Sequence, residues 1–299
     1  MDSNRTGGMH MKLRLSLACV VAGLALFAAG TAYKRGAAAQ GVSASPRPTD
    51  GKRAPVLVEL FTSEGCSSCP PADALIARLE KTQPVAGAEV IALKEHVDYW
   101  NHLGWRDPYS SAEFSERQNG YAQVFGSNQV YTPQMIVDGR TEFVGSSEGR
   151  ARQAILQEAQ APKAAVYLRW APIPSGQARD LAAAKSAALG IPLDVRVEEL
   201  GETATGDTPE VYLAITESNL HSEVLRGENA GSRFDHFAVV RELRPIGKAN
   251  PRVAIAFAAQ PMVTLAPNWK RENLRAVVFV QERRSRRVLG AAALVFAAQ

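Results

Sequence analysis

Near residue 162 the hydrophobic period of this chain changes, and that change constrains its fold more than any other feature. Before it, apolar runs alternate with helical patterns. Val56-Leu57-Val58-Glu59-Leu60-Phe61 reads as a buried strand, and Ala72, Leu75, Ile76 and Leu79 then recur at helical spacing. Glu89 to Val97 is a second strand, and Ser110-Ser111-Ala112-Glu113 has capping-box spacing ahead of a helix reaching about Phe125. Gln134 to Asp138 and Thr141 to Val144 form a hairpin around Gly139, and Ser147 opens a last helix that ends near Ala161. After it the period is two. Ile191, Leu193, Val195 and Val197 alternate with Pro192, Asp194, Arg196 and Glu198, and similar runs occupy 164–170, 210–217, 236–243, 252–258, 275–281 and 288–297.

The order β-α-β-α-β-β-α over 54–161 is the short form of a thioredoxin-like layout, and 162–299 reads as an all-β, sandwich-like domain. Residues 176–189, rich in Ala, read as a short helix or a long loop. Ahead of both domains stands an export segment. Leu15 to Ala32 carries no charge, follows Lys12 and Arg14, and precedes Lys34-Arg35 and the small residues Ala37-Ala38-Ala39. This is the pattern of a signal peptide over 1–39, with an uncleaved membrane anchor as the alternative, since an uncharged run of 18 residues nearly spans a bilayer. Residues 40–53 read as a flexible linker. The chain is expected in the periplasm or outside the cell, or held at the inner membrane.

Charge supports the same division. The net +4 looks basic, but residues 1–50 hold six of the 34 basic residues and two of the 30 acids. The remaining 28 of each sign leave a neutral body, which argues against a nucleic-acid partner. The run Arg283-Arg284-Ser285-Arg286-Arg287 reads as a solvated hairpin turn.

Of three cysteines, Cys19 lies in the export segment, so Cys66 and Cys69 are the whole thiol inventory of the body. Cys66-Ser67-Ser68-Cys69-Pro70-Pro71 falls between the first strand and the first helix. A thiol at a helix N-terminus meets unpaired N–H groups and the positive end of the helix dipole, both of which favour the thiolate. Cys66 is therefore expected exposed and nucleophilic, with Cys69, one turn into the helix, resolving the mixed disulfide. A structural disulfide and a metal site remain open readings of the same pair. The metal reading takes copper, with His96, His102 or Met135 completing the soft ligands. The leading reading needs no cofactor beyond the disulfide itself.

Three further groups are candidates. Tyr131-Thr132-Pro133 precedes the third strand, where a cis Pro133 would face the cysteines and free the Thr132 backbone for an extended substrate. Glu59 is the one acid in its strand; turned toward Cys69, it would move the resolving thiol's proton. Turned to a solvated edge, it does nothing. Asp98, Tyr99 and Trp100, in the aromatic run His96–Asp107, are expected to line a substrate crevice at the strand end.

The runs Glu59–Asp73, His96–Trp100 and Val130–Gly139 resemble a domain-of-unknown-function family of exported bacterial proteins with a thioredoxin-like domain. Arg226–Gly231, His236 and Val239–Arg241 resemble its C-terminal part, so the likeness covers roughly 54–299. It implies the fold and a redox-active Cys66/Cys69 pair, and carries no substrate. Asn101 departs from the pattern, where another acid or polar residue is expected, which weakens a carboxylate site in that loop. The chain thus reads as a thiol–disulfide oxidoreductase acting on protein or small-molecule disulfides and recharged by an upstream redox partner. The direction of electron flow is not legible, because Ser67-Ser68 brings no charge or imidazole to the pair.

Overall fold

The computed structural model describes residues 53–171 and 190–296. The export segment with Cys19, nearly all of the 40–53 linker and the 176–189 stretch lie outside them.

Strand β1 (Ala54–Thr62) is buried on both faces, as a central strand must be, and pairs in parallel with β2 (Ala88–His96), Thr62 opposite His96. Its Val56, Val58 and Leu60 face α1 (Pro70–Thr82), which buries Ala72, Leu75, Ile76 and Leu79 against them. The other face meets α2 (Ala112–Phe125), capped by Ser111, whose hydroxyl accepts the Glu113 N–H at 3.2 Å. Strand β3 (Gln134–Val137) runs antiparallel to β1, and the hairpin to β4 (Thr141–Val144) leads into α3 (Glu148–Glu158), which joins α1 on its face.

The C-terminal half does not stand apart. Its described strands are β5 (Ala165–Trp170), β6 (Gly190–Glu198), β7 (Pro209–Glu217), β8 (Leu220–Glu223), β9 (Arg233–His236), β10 (Val239–Lys248), β11 (Ile255–Ala259), β12 (Met262–Thr264), β13 (Leu274–Glu282) and β14 (Val288–Val295). Four of them extend the first half's sheet, whose order is β14-β13-β7-β10-β2-β1-β3-β4. The junction is β10 against β2, with Val239 opposite Lys94 and the Lys94 N–H donating to the Ala238 carbonyl at 2.8 Å. Strands β5, β6, β11 and β12 form a second layer that packs Leu193, Val195 and Val197 onto Leu213, Ile215, Ala276 and Val278. The expected sandwich therefore exists only as a layered contact, and one of its layers is the sheet begun by β1. Most strands after 162 are divided between the second layer and the long sheet, and the described residues fall in one compact unit. Period-two alternation shows which face of a strand is buried; it does not say which strand lies beside it.

The long sheet curls until β14 returns to the β3–β4 turn. The Val288 N–H donates to the Asp138 carbonyl at 2.9 Å. At Gly139 (φ +66) a Cβ would stand 1.8 Å from the Arg286 carbonyl oxygen, so a side chain there would prevent closure. The basic 283–287 run is the β13–β14 turn, its backbone N–H groups held by the Asp207 carboxylate.

Inside the curl, among Leu57, Ile91, Phe279 and Ala291, lies a buried polar cluster. Arg117 donates to Glu59 Oε1 at 2.6 Å and to Gln281 Oε1 at 3.1 Å, and stands 3.5 Å from Glu95 Oε1. Tyr121 donates to the second Glu59 oxygen. Burial pushes the Glu95 carboxyl well above the ordinary glutamate value, the Glu59 charge pushes it further, and Arg117 only partly opposes both. Both effects favour the protonated form of Glu95. A carboxyl raised in the folded chain contributes stability fully present below its ordinary pKa and lost as pH rises through the folded value. Glu95→Gln, which mimics the neutral acid, should match the parent near pH 4 and exceed it at pH 8 by about 1–3 kcal/mol. Urea unfolding at the two pH values measures this, and a variant weaker than the parent at pH 8 would show that the ionised Glu95 carboxylate stabilises the fold, contrary to a raised value.

Candidate functional site at the carboxyl end of the central strands

Parallel pairing of β1 and β2 brings Thr62 and His96 to one edge of the sheet, and the loops after them share it. Because β3 runs back along β1 with Gln134 opposite Phe61, Thr132 and Pro133 arrive at the same edge. Because β10 begins beside Lys94, so do His236 and the segment before it. Three stretches far apart in sequence thus converge on the loop that carries the cysteines.

Cys66 and Cys69 are joined in a disulfide. The helix begins at Pro70, one residue later than the expectation that Cys69 lies within it: Cys69 is the N-cap, and its carbonyl accepts from Ala72 and Asp73 at 2.9 and 3.1 Å. The prolines take the first two helical positions, where no N–H bond is lost. Cys66 sits in the preceding turn. Contrary to its expected exposure, it is fully buried, as is Cys69, while Ser67 and Ser68 between them face solvent.

The cover comes from three sides. Trp100 packs on Gly65, where a Cβ would lie 3.2 Å from the Trp100 Cβ, and the indole N–H donates to Thr132 Oγ1 at 2.8 Å. Thr132–Pro133 is a cis peptide, and the Thr132 carbonyl accepts from the Ser68 hydroxyl at 3.5 Å. The third side is the 226–231 run. Asn229 donates through Nδ2 to the Glu64 and Cys66 carbonyls at 2.8 and 3.0 Å, and the Ser67 N–H donates to Glu228 at 3.3 Å. Gly227 (φ +79) lies against Trp105, leaving no room for a bulkier residue.

Beneath the loop is a chain of buried charge. Trp105 donates to Glu64 at 2.8 Å, and His236 Nε2 lies 2.9 Å from the other Glu64 oxygen and 2.8 Å from Ser222 Oγ. Lys94 Nζ stands 2.9 Å from His236 Nδ1 and 3.6 Å from Asp73 Oδ1, and Thr62 donates to Asp73 Oδ2 at 3.3 Å. Beside it His96 Nδ1 meets Asp107 Oδ2 at 2.6 Å, the oxygen that also accepts the Glu64 N–H at 2.8 Å. Burial alone would raise the Glu64 and Asp107 carboxyls. Hydrogen bonds from His236, Ser222 and Trp105 more than offset this at Glu64, which ends below the ordinary value. The charge and hydrogen bond of His96, with two backbone N–H groups, take Asp107 down to about 2. Burial lowers His236, and the nearby Lys94 and His96 add to the shift.

Several residues expected here are placed otherwise. Glu59 alternates onto the face opposite α1 and spends its carboxylate on Arg117 and Tyr121, so the strand turns it away from Cys69. Asp98 and Tyr99 are tied to α2, through Ser115 at 2.6 Å and Gln118 at 3.0 Å, and Tyr131 is tied to Glu142. Of the expected residues, Trp100, Thr132 and Pro133 reach the cysteine loop. The copper set does not converge: His96 is committed to Asp107, His102 is exposed on the turn Asn101–Leu103, and Met135 lies in the apolar core. Among the described residues no three His, Cys, Asp or Glu side chains gather as a metal site. Lys94, Asp107, Glu64 and Asn229 were not anticipated; a buried-strand lysine directly after the apolar Val90–Leu93 run was the available signal.

Fold and site together define a mixed α/β protein with a covered disulfide at the carboxyl edge of its central strands. The chain belongs to the family described as protein of unknown function (DUF1223), which matches residues 57–281. A crystal structure of an Agrobacterium tumefaciens protein is similar at 24% identity and TM-score 0.56, covering 83% of this chain and 97% of that one. HBP35 of Porphyromonas gingivalis is similar at 14% identity and TM-score 0.58, covering 82% and 76%. Both likenesses are of fold. No curated protein matches the chain.

Asn229→Ala removes the amide that ties the 226–231 run to the cysteine loop. Loss of about 1 kcal/mol of hydrogen bonding should speed reduction of the disulfide by a phosphine about fivefold. Thiol labelling over time measures it, and an unchanged rate would mean that the run does not limit access.

Proposed function

We propose that the protein is an exported thiol–disulfide oxidoreductase of thioredoxin-like design, working through Cys66 and Cys69. The observation that carries this reading is the placement of the pair: a disulfide ending at a helix N-cap, across from the Thr132–Pro133 backbone, at the edge where loops from both halves meet. Cys66, first in the turn, attacks a substrate sulfur, and Cys69 resolves the adduct. The Thr132 carbonyl, bonded only weakly to Ser68, is the acceptor an extended substrate backbone would take over. The substrates are disulfides or thiols of other proteins, with a second redox protein restoring the pair. The charge-free Leu15–Ala32 run supports export, by a cleaved signal or as an anchor.

Cys69→Ser should accumulate mixed disulfides through Cys66, recovered from cells after acid quenching and resolved by non-reducing electrophoresis; the parent should accumulate far fewer. An empty lane for the variant counts against catalysis. The full burial of both cysteines favours a second reading, a structural disulfide in a binding module. The two part on reduction potential: a structural pair lies below about −300 mV, whereas an exchanging pair equilibrates with glutathione buffers above it.

A further inference from the structure

We propose that Asp73 is the proton acceptor for the Cys69 thiol during exchange, held in position by the buried series Lys94, His236 and Glu64. This rests on the oxidoreductase reading and supplies the proton-transfer group that Glu59 does not provide.

Cys69 has helical backbone angles, φ −80 and ψ −34, and its carbonyl accepts the Asp73 N–H, so the two residues stand one α-turn apart. Side chains at i and i+4 are neighbours on one helix face, about 5–6 Å between Cβ atoms, and lean toward the N-terminus. The Asp73 carboxylate therefore leans back toward Cys69. Its two oxygens are unequal. Oδ2 accepts from Thr62, whereas Oδ1 is buried and has no hydrogen-bond partner among the described residues, with Lys94 Nζ at 3.6 Å. A buried acceptor left without a donor is costly. While the disulfide is closed there is no S–H to fill that place; once it opens, Cys69 carries one.

The series behind Asp73 is fixed in polarity. An ammonium only donates, so Lys94 donates a hydrogen bond to His236 Nδ1, which leaves the imidazole proton on Nε2, facing Glu64. Lys94 is buried at 1% exposure, and so is Glu64. This train anchors the cation that orients Asp73 to the loop two residues before Cys66.

The step balances as follows. A substrate sulfur is bonded to Cys66 Sγ. The Cys69 S–H gives its proton to Asp73 Oδ1, and the sulfur pair attacks Cys66 Sγ. The Cys66–Cys69 bond forms, the bond from Cys66 to substrate breaks, and the substrate sulfur leaves with the electron pair as thiolate. Over both steps two electrons pass from the cysteine pair to the substrate disulfide. In the opposite direction the protonated Asp73 returns the proton to the Cys69 thiolate as it leaves.

The test mixes the reduced full-length protein with the aromatic disulfide 5,5′-dithiobis(2-nitrobenzoate) in a stopped-flow instrument. Coloured thiolate is released in two phases, the first from attack by Cys66 and the second from resolution by Cys69. Asp73→Asn should slow the second phase about 10²-fold, the low end of what a positioned base contributes, and leave the first within about twofold. Asp73→Glu, which keeps the carboxyl, should restore much of the second phase and its rise with pH. Lys94→Met should slow the second phase and alter its pH profile. A purely structural role would slow both phases together or neither. The assignment is overturned if folded Asp73→Asn resolves at the parent's rate and pH dependence. Should Asp73→Asn not fold, equal second-phase pH profiles in the parent and Lys94→Met overturn it instead. A parent that shows no first phase overturns the oxidoreductase reading and this one with it.

Discussion

The β2–β10 junction is the contact on which the rest of the site depends. Val239 lies opposite Lys94, and the Lys94 N–H bonds the Ala238 carbonyl. Through this short parallel pairing the C-terminal strands become part of the first half's sheet. It also sets His236 three residues before Val239, at the edge where β1 and β2 end. The same lysine sends its backbone to one half and its side chain to Asp73 and His236, so the joint in the sheet and the charge beneath the cysteine loop are one feature.

Buried charge is seldom retained for stability alone. Desolvation costs several kcal/mol per ion, and the attraction returned in the interior often does little more than cancel it. This protein keeps two such groups on opposite faces of β1 and β2. In the curl, Arg117 serves Glu59 and stands 3.5 Å from Glu95, whose carboxyl is pushed well above its ordinary value by burial and by the Glu59 charge. At the carboxyl edge, Glu64 and Asp107 are held ionised by many donors, and Lys94 lies between His236 and a carboxylate with one oxygen unfilled. The first group ties α2 to β1 and β13, whereas the second lies beneath the cysteine loop and ties it to β2 and His236.

The elements before residue 162 were legible because each has a local cause. Ser111 caps α2, Pro70 and Pro71 begin α1, and Gly139 turns β3 into β4. The strands after it were mostly legible too, although the short β8–β9 hairpin and the three-residue β12 went unseen because strands so short leave little periodicity. Their partners were not, since alternation carries no information about neighbours. Glu59 shows the same limit at a single residue: its strand was plain, yet which face it took was settled by α1 covering Val58 and Leu60.

By itself the sequence determined the cysteine pair's position between a strand and a helix start, the proline that precedes the third strand, and the neutral body behind a charged N-terminus. These are properties of neighbours along the chain, set by caps, turns and composition. Only the tertiary structure decided that both sulfurs are covered, that Asn229 and Trp100 cover them, and that Lys94, His236 and Asp73 meet beneath. Those contacts join residues up to 165 positions apart. They exist because parallel strands bring their carboxyl ends, and the loops that follow, to one edge.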